Sequence, residues 1–322
     1  MTETTSVIIC TYNYGRFLGR CLESVVSQTQ PPDEIIVVDD GSEDDTVDVV
    51  RRFQGVTYIR QRRGGKAMAF NHGFEVSTGN IICHLDADDY WAPNKLERTL
   101  SVLASFPSIG AVMHQVTYVD EEGNPLFSAA EADADNEFQP VTRVTFEDYL
   151  STFIYSNVQR RTLLGVPNTI SVRRCAVESY LPFPGELGLA IDGALLHLAA
   201  RQGLACLASP LSAYRHHGAN SFVNNPDAHR GEWALFDWLI HHADYGQALP
   251  FAEKHLLRAR RLETELIHLC HQRRRSARGF VSGCQLICHM VAGCSVPAWR
   301  HLAATITCIF PEIFKVREAL LK

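Results

Sequence analysis

Short apolar, β-branched runs alternate with helix-length segments through the first third of this chain. No other feature restricts the fold as much. Ser6–Cys10, Glu34–Val38, Thr57–Arg60 and Ile81–Leu85 read as strands. Between them, Arg16–Gln28 carries Phe17, Cys21, Leu22 and Val25 at helical spacing, and Lys66–Ser77 reads as a helix. Ser42 and Asp45 give a Ser-x-x-Asp start signal for a helix over Asp44–Phe53. Pro93 opens a further helix to Phe106, since proline is tolerated in a first helical turn. Strand–helix alternation of this kind implies an α/β fold, a mostly parallel sheet flanked by helices on both faces. Ligands of open α/β sheets sit beyond the carboxyl ends of the strands. Three such ends carry Thr11-Tyr12-Asn13, Asp39-Asp40 and Asp86-Ala87-Asp88-Asp89, so all three are expected to converge on one cleft.

The rest of the chain is less regular. Glu121–Gln139 is acidic and Ala-rich, as a surface excursion would be. Thr169–Val172 reads as a strand and Asp192–Gln202 as an apolar helix. After Asn225 the strand signals stop, which predicts an α/β domain over 1–225 and a helical region over 226–322. Ten cysteines are scattered without a disulfide spacing, and polar Met1–Thr5 leads straight into a strand. Both features lead to the expectation of a reducing, cytoplasmic protein. The net charge of −6 conceals an asymmetry: Phe251–Lys322 carries 12 Lys/Arg against 5 Asp/Glu, and the first 250 residues 18 against 31. An acidic α/β half gives nucleic-acid binding little support.

Three motifs carry chemistry. In His84-Leu85-Asp86-Ala87-Asp88-Asp89, three carboxylates within four residues repel one another unless a hard divalent cation such as Mg²⁺ or Mn²⁺ sits among them. An acidic turn ahead of a helix is the plainer explanation. Asp39-Asp40-Gly41-Ser42 ends a strand with carboxylates able to meet an N–H of a nucleobase, or merely caps a helix. Arg62-Arg63-Gly64-Gly65-Lys66, followed by Asn71, could approach a diphosphate or form a solvated basic turn; it is not a Walker loop.

Taken in order over Ser6–Ser221, these motifs resemble family 2 glycosyltransferases of the GT-A fold. The resemblance implies an inverting transferase that takes a sugar from a nucleoside-diphosphate sugar, most simply a UDP-sugar, to an acceptor hydroxyl on a sugar or lipid-linked molecule. It implies donor contacts from Thr11, Tyr12, Asn13, Asp39, Asp40 (facing uracil), Lys66, Asn71, Asp86 and Ala87. Asp86-Ala87-Asp88 matches the family's Asp-x-Asp motif, with Asp88 as the main metal ligand and Asp86 beside it. Ala69-Phe70 stands where the family has Ala-Arg, which leaves no phosphate cation at that position. Asp192 occupies the place of the general base, with Glu186 as a rival, and Ile191 replaces the usual acidic neighbour. Tyr214-Arg215-His216-His217 resembles the segment that closes over the diphosphate, which implies phosphate contact by Arg215 and a metal ligand in His217.

Two other classes fit less well. A nucleotide-sugar-binding protein without turnover would not need Asp88 and Asp192. A sugar nucleotidylyltransferase would need a Gly-rich basic loop after the first strand, where this chain has only Thr11-Tyr12-Asn13-Tyr14-Gly15-Arg16. Cys270, His271, Cys284, Cys288, His289 and Cys294 lack the Cys-x-x-Cys spacing of a zinc site. Arg273-Arg274-Arg275 and Arg278 precede apolar Gly279–Val296, so 273–296 is expected to make peripheral contact with an anionic membrane face rather than to span it.

Overall fold

The computed structural model describes residues 3–126, 169–220 and 228–242, with 254, 257, 258 and 261. The chain divides into two compact units, Met1–Thr145 with Ser156–Asn220, and Phe146–Tyr155 with Ser221–Lys322. The sequence places its boundary at 225; the division falls after Asn220 and adds Phe146–Tyr155 to the second unit. Among the described residues of that second unit, the helix Ala228–His241 buries Leu235, Phe236 and Leu239. The cysteine cluster at 270–294 and the basic segment 273–296 lie outside the described residues.

The first unit is built on one sheet. Its strands are β1 (Thr5–Thr11), β2 (Glu34–Asp39), β3 (Val56–Arg60), β4 (Ile81–Asp86), β5 (Tyr90–Trp91), β6 (Ala111–Val119), β7 (Ser171–Arg173) and β8 (Leu204–Arg215). They run in the order β3-β2-β1-β4-β7-β6-β8-β5. The β3, β2, β1 and β4 strands are parallel, as are β6 and β8. Antiparallel β7 joins the two parallel blocks, and β5 runs antiparallel along β8. The sheet is therefore mixed, because a three-residue strand from far along the chain is inserted between β4 and β6.

Helices cover both faces. On one face, α1 (Gly15–Val26) buries Leu18, Cys21, Leu22 and Val25 against Val7, Ile9 and Val37. Each Leu or Val buried in this way contributes ~1.5–3 kcal/mol. Short α2 (Thr46–Val50) and α4 (Lys95–Ser105) complete this layer with Val49, Val50, Leu96, Leu100 and Leu103. The opposite face takes α3 (Lys66–Val76), where a Cβ on Gly73 would lie 2.6 Å from Ile8 Cγ2. Glycine lets this helix approach the sheet. Two further helices follow β7: α5 (Arg174–Val177), and α6 (Ile191–Ala200), which is preceded by a 3-10 turn over Gly185–Ala190.

The α2 start differs from the Ser42 cap that the sequence suggests. Ser42 is buried, its N–H donates to Asp39 Oδ1 at 2.7 Å, and its Oγ accepts from Asn13 N–H at 2.9 Å. Asp44 supplies the local bonds instead. Its Oδ1 accepts from Thr46 N–H and its Oδ2 accepts from Gly15 N–H at the start of α1. Burial raises the Asp44 carboxyl, but these bonds outweigh it and hold it below the usual range.

Candidate active site

Backbone register brings the three motif-bearing strand ends level. Thr11 pairs with Asp39 and Cys10 with Asp86, so β1, β2 and β4 finish at one edge. On β4, side chains alternate between faces, which puts His84 and Asp86 on one side and Cys83 and Leu85 on the other.

Beyond that edge stands a group of acids. One ligand oxygen each from Asp86, Asp88 and Asp89 lies within 4.8 Å of the others. Burial pushes the Asp86 carboxyl up against the pull of Lys66. Burial, with the charges of Asp88 and Asp86, pushes Asp89 well above the carboxylate range. Crowded carboxylates of this kind are relieved by a cation. His217 Nε2 lies 3.0 Å from Asp88 Oδ2, which adds an imidazole to the oxygen set. Phe17 and Tyr14 pack on the His217 ring with centroids at 4.5 and 5.5 Å and fix its place. This donor chemistry fits a hard divalent cation.

Lys66, the first residue of α3, joins the acids to Asp192. Its Nζ lies 2.8 Å from Asp86 Oδ1 and 2.9 Å from Asp192 Oδ2. A cation at a helix N-terminus is disfavoured by the helix dipole, so these two carboxylates hold it there. Burial lowers the Lys66 ammonium, but both acids outweigh that and raise it. Asp192 stands at the start of α6, 5% exposed. Its Oδ1 accepts from His84 Nδ1 at 2.7 Å. Burial would raise the Asp192 carboxyl; Lys66 and His84 prevail and hold it below the usual range, so it stays ionised.

The Glycosyl transferase family 2 profile matches residues 6–177. An uncharacterized glycosyltransferase of Nostoc sp., alr2836, is 33% identical over 232 residues, covering 69% of this chain and 68% of that protein. The chain belongs to glycosyltransferase family 2. GlyG of Streptococcus pneumoniae is 32% identical over 132 residues, 39% of this chain and 44% of its own, so the chain spans less than half of that relative. Among solved structures, TarS 1–349 of S. aureus with UDP-GlcNAc is similar in fold, with a TM-score of 0.64 at 17% identity over 90% of this chain and 81% of that one. The protein is a glycosyltransferase with a GT-A-like fold.

Within this family 2 glycosyltransferase, Asp86, Asp88, His217, Lys66 and Asp192 form one contiguous cluster. Glu186, the rival base, is exposed on the 3-10 turn before α6. Several other expected donor contacts are engaged within the protein. Asp39 accepts from Ser42 N–H and from Tyr58 Oη. Asp40 accepts from Gln61 Nε2 and from the N–H groups of Gly64 and Gly65 at 2.7–2.8 Å, so the glycine pair faces this carboxylate. Asn71 clamps the Phe183 backbone, donating at 2.8 Å and accepting at 2.9 Å. Arg215 faces inward: Nε donates to Asp88 O at 2.8 Å and another nitrogen to Glu121 O, so it braces the acidic turn. Asn13 takes the left-handed φ of 56° and accepts from Glu43 N–H, tying the first two loops together. Thr11 and Ala87 are buried at the strand ends, and the Arg63 guanidinium lies 3.6 Å above the Tyr12 ring. Phe70, where the family has arginine, is fully buried among Phe74, His84 and Phe183.

The sequence reading did not single out His84. Its signal was parity: two residues before Asp86 on a strand, it faces the same way.

Proposed function

We propose that this glycosyltransferase moves a sugar from a nucleoside-diphosphate sugar, a UDP-sugar, to an acceptor hydroxyl with inversion. One observation carries the reading: an ionised, buried Asp192 held by Lys66 beside the Asp86–Asp88–Asp89 cluster. Asp192 accepts the proton of the acceptor hydroxyl as it attacks the anomeric carbon. A single displacement inverts that centre and needs no protein nucleophile. Asp88, with Asp86 and His217, would hold Mg²⁺ or Mn²⁺, which supplies charge for the departing diphosphate. Lys66 Nζ supplies a second positive group in place of the arginine missing at Phe70. Tyr12 and Asp40 mark the nucleobase side of the cleft. The UDP-GlcNAc complex of the similarly folded TarS supports a UDP-sugar.

Asp192→Asn should abolish transfer while UDP binds as in wild type. If Asp192→Asn is active and Glu186→Gln is dead, the base has been assigned to the wrong acid. Thr11, Asn13, Asp39, Asn71, Ala87 and Arg215 are read as further donor contacts, and Asn13, Asp39, Asn71 and Arg215 also bond within the protein. The acceptor is a sugar or a lipid-linked molecule. Among the described residues no helix is long and apolar enough to cross a membrane. The basic run in 273–296 supports peripheral contact with the inner face of a membrane. Co-sedimentation that needs anionic vesicles and weakens from low to physiological salt is the expected result.

A further inference from the structure

His84 is the part of the cluster for which this reaction scheme has no role. It is 2% exposed on β4, and its imidazole meets the edge of Phe70 at 5.4 Å between centroids. Its Nδ1 lies 2.7 Å from Asp192 Oδ1. An ionised carboxylate only accepts hydrogen bonds, so Nδ1 carries the proton of this contact. The other ring nitrogen, Nε2, has no hydrogen-bond partner among the described residues and lies 3.9 Å from Asp86 Oδ1. Asp192 is thus held at two points of different character. Oδ2 is tied to Lys66, an ammonium on a long stem that also pairs with Asp86 and that the proposed function assigns to the diphosphate. Oδ1 is tied to a ring packed inside the protein. When Lys66 turns to phosphate, the imidazole remains to keep the carboxylate from rotating.

We infer that His84 is a positioning residue: its Nδ1–H fixes Asp192 Oδ1 and so aims Oδ2 at the acceptor hydroxyl. This rests on Asp192 being the general base. Geometry supplies a discriminating pair of substitutions. The amide nitrogen of Asn can take the place of Nδ1, whereas that of Gln reaches toward Nε2.

The experiment measures UDP release from the nucleotide sugar turned over fastest by wild type in a donor screen, for His84→Asn, His84→Gln and His84→Ala. UDP titration and urea unfolding report folding and the donor site. Because a 1 Å misplacement of a reacting group costs about 100-fold, His84→Gln should lower kcat by about 10- to 100-fold at unchanged donor KM, with His84→Asn within about threefold of wild type. Should His84→Ala fail to fold, the Asn and Gln pair decides. Nitrogen-15 NMR adds a readout that needs no substrate: a downfield Nδ1–H resonance of His84, lost in Asp192→Asn. Equal kcat in the Asn and Gln variants, or absence of that resonance from wild type, overturns the inference. The two readings fail separately. An active Asp192→Asn removes the base; a dead Asp192→Asn beside a fully active His84→Gln removes only the role of His84.

Discussion

Replacing Lys66 by Met keeps the stem and deletes the charge. The ammonium sits 2.8 and 2.9 Å from two carboxylate oxygens, with the three side chains 7–24% exposed. At an effective dielectric of about 20, each contact carries ~6 kcal/mol of gross attraction. Desolvation cancels much of that, and removing one partner from a buried pair costs ~3–5 kcal/mol in practice. Proton uptake sets a ceiling, because neutralising a carboxyl of ordinary pKa at pH 7 costs ~4 kcal/mol. A loss of about 3–4 kcal/mol at pH 7 is therefore expected. Its pH dependence has a definite sign. Without Lys66, burial and the neighbouring acids raise Asp86 and Asp192, so the folded variant binds a proton that the unfolded chain has released. Its stability then falls as pH rises from the ordinary carboxylate value toward the raised one, by up to ~1.4 kcal/mol per pH unit for one proton. Urea unfolding of both proteins at pH 5, 6 and 7 measures the gap. It should be small at pH 5 and widest at pH 7, and millimolar Mn²⁺ should narrow it. A gap below about 1 kcal/mol that does not change with pH would show that Lys66 is not the charge that keeps these acids ionised.

Three further outcomes are expected. Asp88→Asn should fold normally yet weaken Mn²⁺ binding by calorimetry at least about tenfold, and wild type in excess EDTA should lose transfer; full activity in EDTA removes the metal from the mechanism. His114 and His197 are driven down to about 3 by burial, with help from Lys95 and Arg201 respectively. They stay neutral in the fold and take protons when unfolded below about pH 6.5, so acidification from pH 7 to 5 should cost ~2 kcal/mol for each. His114→Gln should flatten that slope by one such share, and an unchanged slope contradicts the burial argument. Gly73→Ala puts a Cβ 2.6 Å from Ile8 Cγ2 and 3.1 Å from Val38 Cγ2. Overpacking of this kind should cost ~1–3 kcal/mol in thermal melts, and a melt equal to wild type would mean that α3 is free to move away.

The fold was legible where local pattern and global position agree. The parallel strands β1, β2 and β4 show themselves as apolar runs because both faces of each are covered, whereas β3 at the sheet edge is half-exposed and reads more weakly. Their carboxyl ends therefore located Asp86, Asp88 and the loop before Lys66 in advance. The apolar run Thr169–Val172 likewise marked β7, though not its place between β4 and β6, and two-residue β5 has no such signature, since its pairing depends on partners far away in the chain. The α2 helix starts later than its pattern because Asp44 spends its carboxylate on Thr46 and Gly15. Motif order pointed to the acids and Asp192, which the structure brings together, but not to the direction of each polar head. Asn71, Arg215 and Asp39 look alike in sequence whether or not they bond within the protein, and here each does, Asn71 and Arg215 to backbone and Asp39 to Ser42 N–H and Tyr58 Oη. His84 was hidden for the opposite reason: a histidine in an apolar strand looks like core until α6 brings Asp192 to it.

The inward bonds of Asp40 are compatible with a nucleobase role. An ionised carboxylate offers about four lone-pair sites, and Asp40 uses three of them. Two fall on Oδ1 and one on Oδ2, so one site on Oδ2 can accept a base N–H while the Gly64–Gly65 turn stays in place. Gly65 holds a φ of 88°, a conformation that glycine tolerates, and it leads directly into Lys66. On the proposed reading Asp40 has two tasks that one substitution can separate. Asp40→Asn keeps an oxygen acceptor but replaces the other with a donor, which opposes the N–H of Gly65, Gly64 or the base. If Asp40 only read the base, the variant would weaken UDP binding and leave Lys66 where it is. If the turn also depends on it, Lys66 loses its anchor, and the variant should take on part of the pH-dependent instability expected of Lys66→Met. Urea unfolding of Asp40→Asn at pH 5 and 7 distinguishes the two, and a gap from wild type that is the same at both pH values rules out the second task.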